Sequence, residues 1–219
     1  MQLLKISLSC LVLLACIEAS CQDTTTNSIY FLSGPNYSFY RGNDLVQDLF
    51  KPSVTYTHGL GYKRRFDRGV SSRVQVQQLI QGMQDKITWT DETGSTISES
   101  PILFRMEYVV LSAMLEKSFG TKQIFKVFGG GYGAYNYRSF SLIQSEVIFF
   151  GSYTDFTSKT EKMDFGLAAG FGFSYPLAKA LRLNLDFTNF FGLTNSLNVQ
   201  DIVRKLNSTN AMLGFEFRF

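Results

Sequence analysis

Histidine is the side chain best suited to acid–base chemistry near neutral pH, and this sequence contains a single one, His58. A hydrolytic or acyl-transfer triad would need a serine and a carboxylate beside it. The surrounding letters T-H-G-L-G do not resemble the motifs of such enzymes. In an extended strand His58 shares a face with Tyr56 and Leu60, so we interpret it as an outward-facing residue near the outer rim of the fold.

The positions of the cysteines rule out cysteine chemistry in most of the chain. All three, Cys10, Cys16 and Cys21, lie in the first 21 residues. The remainder therefore has no disulfide framework, thiolate nucleophile or cysteine ligand for a metal. No metal-ligand spacing, P-loop or nucleotide fingerprint appears in the sequence, and we predict no cofactor.

Charged residues recur at alternate positions of several extended segments, which places them on one face of each strand. If the strands close into a barrel with an apolar outer face, these charges enter a narrow interior, where an unpaired charge is very costly. Two interpretations follow: a path for protons or ions, or a set of ion pairs that seals the interior. We favour the seal. The predicted inward residues are Arg73, Arg105, Glu107, Lys126, Arg182, Asp186, Glu216 and Arg218.

The segment Ala211–Phe219 shows most clearly which elements must position these charges. Its alternate residues form one apolar face and one face of small or charged side chains. An apolar outer face, a polar inner face and a final phenylalanine are typical of the closing strand of an outer-membrane barrel. We predict that the barrel assembly machinery recognises this strand through Phe215, Phe217 and Phe219.

Seven further segments repeat the alternation. A single layer of sheet with no helices to cover it must turn its apolar face toward lipid. The sequence therefore predicts an all-β fold, an eight-stranded antiparallel up-and-down transmembrane barrel. Glycines Gly129, Gly130, Gly131 and Gly133 predict strong curvature or a bulge in the fifth strand. The predicted strands are Ile29–Arg41, Val54–Phe66, Val70–Gln81, Ile102–Phe119, Gln123–Tyr137, Asp164–Tyr175, Leu181–Leu193 and Ala211–Phe219.

The connections between these strands alternate in length. Short periplasmic turns and long extracellular loops are the known asymmetry of outer-membrane barrels, and eight strands leave an interior that side chains fill. The predicted turns are Asp67–Gly69, Gly120–Lys122 and Pro176–Ala180. The predicted loops are Gly42–Ser53, Gly82–Pro101, Arg138–Met163 and Thr194–Asn210.

The first 21 residues are predicted to be a signal peptide, because Lys5 precedes a short apolar run that is followed by small residues. Cleavage after Cys21 would leave Gln22 as the mature start; a lipidated Cys16 is the alternative, and we favour the first. Residues 22–219 then form one barrel domain in the outer membrane of a Gram-negative bacterium, in contact with lipid and lipopolysaccharide. The formal charge of +3 is not clustered, so nucleic acid is not an expected partner.

Two of the long loops have the sequence of an interaction surface. Loop 82–101 contains two strand-like segments around D-E-T-G and predicts a hairpin that extends the third and fourth strands above the membrane. Loop 138–163 contains the unusually apolar E-V-I-F-F-G-S-Y-T-D-F. A protruding sheet of this kind could bind an extracellular or envelope protein by edge pairing, or the loops could pack on themselves.

Several motifs resemble those of a known family. They are G-L-G-Y (Gly59–Tyr62), M-E-Y-V (Met106–Val109), the glycine-rich fifth strand, D-F-G-L-A-A-G-F-G-F (Asp164–Phe173) and the final F-R-F. In this order they resemble the Bacteroidota outer-membrane barrels that include PorT-like proteins, related in architecture to the eight-stranded OmpA and OmpX barrels. The resemblance implies a structural or interaction role, as scaffold or accessory of an envelope complex connected with secretion. The alternatives are a lipid A-modifying enzyme, which would need a serine and an acid near His58, and a narrow channel for small solutes.

Overall fold

The computed structural model describes residues 26–42, 51–66, 69–120, 123–143, 152–195 and 204–219. The predicted signal peptide lies outside these residues. Within these ranges the structure has nine strands and one short 3₁₀ turn, Thr157–Lys159, and no helix with the length and apolar character needed to cross a membrane. The strands are β1 Thr26–Gly42, β2 Lys51–Arg65, β3 Val70–Thr90, β4 Thr96–Phe119, β5 Phe125–Ile143, β6 Ser152–Asp155, β7 Met163–Pro176, β8 Leu181–Gly192 and β9 Arg204–Arg218.

Eight of these strands form a closed antiparallel ring. Each strand pairs with the next along the chain except at β6, which adds only to β5, so that β5 pairs with β7 and β9 returns to β1. The predicted all-β, up-and-down barrel and all eight predicted strands are confirmed. The backbone of Phe219 closes the seam, donating to the Asn27 carbonyl at 2.9 Å and accepting from its N–H at 3.2 Å.

The register of the ladders fixes how steeply the strands are inclined. A row of paired residues that starts at Leu181 on β8 passes through Phe217, Ile29 and the remaining strands and returns to β8 at Phe191. This offset of ten residues between Leu181 and Phe191 corresponds to a strand tilt of about 40°. A barrel of this size has an interior that side chains can fill completely.

Alternation along the strands separates two chemically opposite surfaces. The outer surface carries exposed large apolar side chains on every strand of the ring, among them Phe31, Leu60, Val76, Leu111, Tyr135, Leu167, Leu185 and Phe215. The inner surface is rich in polar and charged groups. A soluble protein would bury the first set and expose the second, so this apolar belt belongs against lipid.

Tight turns join the strands at one end of the barrel, called here the turn end. Phe66 donates its N–H to the Val70 carbonyl at 2.8 Å, and Leu177 to the Leu181 carbonyl at 3.0 Å. Gly120 adopts a φ of +84°, a left-handed conformation that glycine tolerates best. The opposite end, called the loop end, carries the longer connections, as predicted.

The β3–β4 hairpin continues well beyond the strands predicted for it. It extends to Thr90 and Thr96 around a turn at 91–95, which confirms the predicted hairpin in loop 82–101. Strand β6, inside the predicted loop 138–163, pairs with residues Phe140–Ile143 of β5.

The predicted bulge at the glycines of β5 is wrong. The ladders of β5 with β4 and β7 run in unbroken register from Gly129 to Gly133. The irregularity of this strand lies at Tyr137, where β4 shifts register between Glu107 and Tyr108. Gly130 has a steric reason instead, because a Cβ there would lie 2.0 Å from the carbonyl oxygen of Ala113.

Candidate functional site: a charge network inside the barrel

Three cations and three anions meet inside the turn end of the barrel. They come from six strands, β2, β3, β4, β5, β8 and β9, and each is at least 97% buried. Alternation points each of them inward, and the narrow interior brings them together from opposite walls. We call this set the charge network; its members are Lys63, Arg73, Glu116, Lys126, Asp186 and Glu216.

Each carboxylate bridges two cations or a cation and an amide. Glu116 lies 3.4 Å from Lys63 Nζ and 3.5 Å from Arg73 Nη1. Asp186 lies 3.0 Å from the same Arg73 nitrogen and 2.6 Å from Lys126 Nζ. Three positive and three negative charges therefore compensate one another in a space that water cannot enter freely.

Glu216 extends the network to the ninth strand. One of its oxygens lies 2.5 Å from Lys63 Nζ and accepts a hydrogen bond from Asn184 Nδ2 at 3.1 Å. Its other oxygen lies 3.3 Å from Arg218 Nε. Each acid thus holds several donors, which is the condition under which a buried carboxylate is tolerated.

Neutral groups complete the environment of Arg73. Its guanidinium donates to the Tyr30 hydroxyl at 3.1 Å and to Gln75 Oε1 at 2.7 Å. It also lies over the Phe128 ring, 4.5 Å from the centroid, and over the Tyr30 ring at 4.9 Å. Charge, hydrogen-bond donors and ring faces are all engaged, so this arrangement holds the walls together.

Five of the predicted inward residues lie inside or at the edge of the network. Arg73, Lys126, Asp186 and Glu216 are members of it, and Arg218 contacts it from the partly buried turn end. Arg182 is also buried and inward. Its guanidinium donates to the Ser174 hydroxyl at 2.7 Å and to the Gln123 carbonyl at 3.0 Å.

The prediction that Arg105 and Glu107 face inward is wrong. Arg105 is exposed and Glu107 is half-buried, on the same outer face as Val109 and Leu111. The physical reason is that the inner face of this part of β4 is apolar, with Met106 packed against other apolar side chains, so the charged face is the outer one. The rule that charged residues point into the barrel therefore gives the wrong direction there.

Sequence reasoning missed Lys63 and Glu116, although both lie in predicted strands. Lys63 is an even number of residues from the inward Gly59 and Gly61, so it lies on the same face of its strand. Glu116 is related in the same way to the inward Ser112. Extending each pattern to the turn end of its strand would have found them.

His58 faces outward, as predicted. It is the central residue of β2, with exposed Tyr56 on one side and exposed Leu60 on the other. Its cross-strand neighbours are Ser33 and Gln78, neither of which is an acid. This is not the geometry of a triad. Among the described residues, no group of three His, Cys, Asp or Glu side chains is placed to hold a metal ion.

The loop-end half of the interior has a different composition. An apolar cluster covers the wall made by β3, β4, β5, β7 and β8, and polar side chains cover the wall made by β1, β2 and β9. Tyr132 and Phe190 pack edge to face inside the cluster, with ring centroids 5.2 Å apart. The apolar cluster consists of Leu79, Met83, Met106, Tyr108, Val110, Met114, Phe128, Tyr132, Ala134, Ala168 and Phe190.

The three aromatic residues predicted to act in assembly all face outward. Phe215, Phe217 and Phe219 lie on one face of the β9 end and are exposed. The same face turns toward lipid along the whole strand.

The sequence profile of one family, described as "Outer membrane protein beta-barrel domain", matches residues 22–198. No curated protein matches the chain significantly.

Several solved structures have a similar fold at low sequence identity. Neisserial surface protein A is 12% identical, with 87% of this chain and 97% of that chain covered and a TM-score of 0.46. Ail of Yersinia pestis, solved in complex with the heparin analogue sucrose octasulfate, is 13% identical, with coverage of 88% and 99% and a TM-score of 0.46. Outer membrane protein W of E. coli is 15% identical, with coverage of 88% and 98% and a TM-score of 0.42.

Proposed function

Since this chain belongs to the outer membrane protein β-barrel domain family, we propose that it is a surface interaction protein of the outer membrane, with a sealed barrel and an extracellular sheet that binds a protein partner. In such barrels short turns face the periplasm and long loops face outward, so the turn end is periplasmic and the loop end extracellular. The main support for the proposal is that the strands on one side of the barrel are much longer than those on the other side.

Strands β3 and β4 are 21 and 24 residues long, whereas β7 and β8 have 14 and 12. The shorter strands suffice to cross the membrane. About ten extra residues at this tilt raise the β3–β4 side higher by roughly 25 Å. Together with the upper part of β5 and with β6, this side forms a four-stranded extracellular sheet, β3–β4–β5–β6.

The outer end of this sheet is well ordered by side-chain contacts. Arg138 stacks on Phe140, with 4.7 Å to the ring centroid, and donates to the Tyr153 hydroxyl at 3.3 Å. The Phe140 and Tyr153 rings lie 5.4 Å apart. Strand β6 is therefore fixed to β5, and in the described part of the chain it has no other strand neighbour. A fixed edge of this kind can accept an added strand from another protein.

The turn of the hairpin is also fixed. Hydrogen bonds from the Thr93 hydroxyl and from the backbone N–H groups of Ser95 and Thr93 hold the pKa of the Asp91 carboxyl below its usual range. An ordered hairpin loses less conformational entropy when a partner binds to it. This favours recognition over packing of mobile loops on themselves.

A photo-reactive amino acid at exposed Thr154 of β6 tests the binding edge in living cells. We expect a protein adduct that disappears when Tyr153→Pro is added, because proline interrupts strand pairing. The matched control places the same probe at lipid-facing Leu167. Adducts that persist with Tyr153→Pro, or that also form at Leu167, would contradict edge binding.

The charge network supports a sealed interior. Its cations and anions are paired across the barrel, and opening a path would separate them in a poorly hydrated space. We expect the purified protein to give no stable single-channel conductance in planar bilayers. Reproducible ion-selective openings that Glu216→Gln abolishes would favour the channel instead.

A role as scaffold or accessory of a secretion-related envelope complex is the finer form of this proposal. It is supported by the motifs that resemble PorT-like barrels and by the extracellular sheet. Purification of a tagged chain from outer membranes should co-purify the same proteins with the intact chain but not with a chain whose residues 86–97 are replaced by a short turn. Retention of all of them would place the contact elsewhere.

Recognition by the barrel assembly machinery is proposed for the end of β9. Phe219→Ala should lower the outer-membrane yield far more than Phe39→Ala, which also removes one outward aromatic ring. Equal yields, measured in isolated outer membranes, would show that the end of β9 is not the assembly signal.

A further inference from the structure

Polar side chains on the lipid-facing belt need partners, because hydrocarbon offers them no hydrogen bonds. The barrel supplies such partners from its own surface at two places. Asn189 donates to the Thr209 hydroxyl at 3.0 Å, between β8 and β9. Gln78 on β3 donates its amide N–H to the Tyr137 hydroxyl at 2.6 Å.

His58 differs from these side chains. It is exposed at the centre of β2, and it has no hydrogen-bond partner among the described residues. The hydroxyl of its neighbour Ser33 donates instead to the Thr57 carbonyl at 3.4 Å. An imidazole facing hydrocarbon is costly, so a hydrogen-bond acceptor from a second chain would stabilise it at this position.

The strand that carries His58 also projects from the wall. Val54, Tyr56 and Leu60 are 66%, 68% and 58% exposed, among the highest values in the apolar belt. We call these three residues and His58 the β2 ridge. It makes the outer face of β2 a natural surface for contact.

The projection has a cause in the ladder. The pairing of β2 with β3 shifts register between Pro52 and Thr57, where β2 has one extra residue. The Ile80 carbonyl on β3 accepts instead from Asn36 Nδ2 of β1 at 2.7 Å and from the Thr55 hydroxyl. Side chains from inside the barrel thus bridge the gap that the extra residue of β2 leaves in the ladder.

We propose that the β2 ridge is the contact surface of a dimer of this chain in the membrane plane, in which His58 of each copy donates to the side-chain oxygen of Gln78 of the other. Two copies in one membrane share the same orientation, so their two-fold axis lies along the membrane normal. Residues at similar depth then meet, and each contact occurs twice.

Register makes His58 and Gln78 suitable for such a reciprocal pair. They are cross-strand partners on β2 and β3, so an axis between these strands brings His58 of one copy opposite Gln78 of the other. The Gln78 amide nitrogen already donates to Tyr137, which leaves its carbonyl oxygen as an acceptor. A single two-fold contact then gives the imidazole of each copy a hydrogen-bond acceptor.

The opposite side of the barrel favours a closed pair rather than an array. There β7 and β8 present the apolar residues Leu167, Phe171 and Phe191, and Asn189 of β8 already donates to Thr209. The polar contact is therefore confined to one face, and a two-fold pair uses it completely.

Crosslinking between two tagged copies tests the arrangement. Co-expression of a His58→Cys copy with a Gln78→Cys copy should give a heterodimer with a short, membrane-permeant bis-maleimide. The matched control is the cross-strand pair Leu167→Cys and Phe191→Cys on β7 and β8, opposite β2 and β3, and the parent chain reports any reaction of Cys10, Cys16 and Cys21. Equal yields from both pairs, no adduct from the first pair, or its adduct with a different protein would overturn the proposal.

The hydrogen bonds themselves are tested by energy transfer between labelled full chains in lipid vesicles. His58→Leu should raise the dimer dissociation constant roughly tenfold, because two interchain hydrogen bonds are lost. Asn189→Leu is the matched control, since its partner Thr209 belongs to the same barrel, and should leave the constant unchanged. Protease resistance confirms that both variants fold. No change with His58→Leu, or an equal change with Asn189→Leu, would overturn the pairing.

Discussion

The periplasmic half of the interior holds the charge network, whereas the extracellular half has an apolar cluster on one wall and amides and hydroxyls on the other. In the first half each buried carboxylate contacts several donors. Buried polar atoms without a hydrogen-bond partner in the described part of the chain occur in both halves, Ser71 Oγ and Arg218 Nη2 in the first and Asn36 Oδ1, Gln81 Oε1 and both side-chain atoms of Asn210 in the second. The halves therefore differ in their ion pairs, and the buried ion pairs that join the barrel walls lie near the periplasm.

The largest effect is expected from Glu116→Gln, which removes a negative charge from the charge network. It leaves Lys63 and Arg73 with too little negative charge, and removal of one partner from a buried ion pair costs about 3–5 kcal/mol. The free energy of unfolding should be measured by urea titration in lipid vesicles. Glu107→Gln makes the same chemical change on the outer face of the same strand and should cost less than about 0.5 kcal/mol. Similar losses for both would show that the network contributes no special stability.

A smaller loss is expected from Met106→Ala in the extracellular half. Met106 is buried in the apolar cluster, and truncation leaves a cavity that costs about 2–4 kcal/mol. The same urea titration gives the value. A loss greater than that of Glu116→Gln would reverse the comparison, with packing rather than charge as the main source of cohesion.

Two asparagines sharpen the comparison because the same substitution should have opposite effects in the two halves. Asn184→Leu removes a donor to Glu216 and an acceptor 3.4 Å from Lys126 Nζ, and should destabilise the barrel by about 1–3 kcal/mol. Asn210→Leu removes a buried amide without partners and should be neutral or stabilising by up to about 1 kcal/mol. Thermal unfolding of both variants in one lipid composition would decide. A clear loss for Asn210→Leu would mean that its amide is satisfied in the membrane.

The smallest effect is expected at the hairpin turn, far from both halves. The pKa of Asp91 is lowered in the folded turn, so its contribution is present above the pKa of the unfolded chain and is lost as the pH falls through the lowered value. Hydrogen exchange at the Thr93 and Ser95 amides should accelerate, beyond the intrinsic pH dependence, as the carboxyl is protonated. Asp91→Asn should remove that extra dependence, and its persistence would assign the effect to another group.

Alternation was sufficient to predict the eight strands, because one face of each must meet lipid along most of its length. It failed in β4, where Met106 and Tyr108 make the inner face the apolar one and the charged Arg105 and Glu107 lie on the outer face. Partners within the charge network could not be predicted, because Arg73 and Asp186 meet across the interior and their approach depends on tilt and closure. The same holds for Asn36, which bonds a strand that is not its neighbour.

The pairing of Asn27 with Phe219 has a consequence for the order of folding. It joins residues from the two ends of the barrel sequence, a separation close to the greatest that the chain allows. Contacts of such high contact order form slowly, because nearly the whole polypeptide must be confined before they yield any stabilisation. Until β9 meets β1, both of those strands have unpaired edges that can aggregate. Closure of the seam is therefore expected to be the last step of folding, and the edges of β1 and β9 are the ones most exposed to wrong pairing before it.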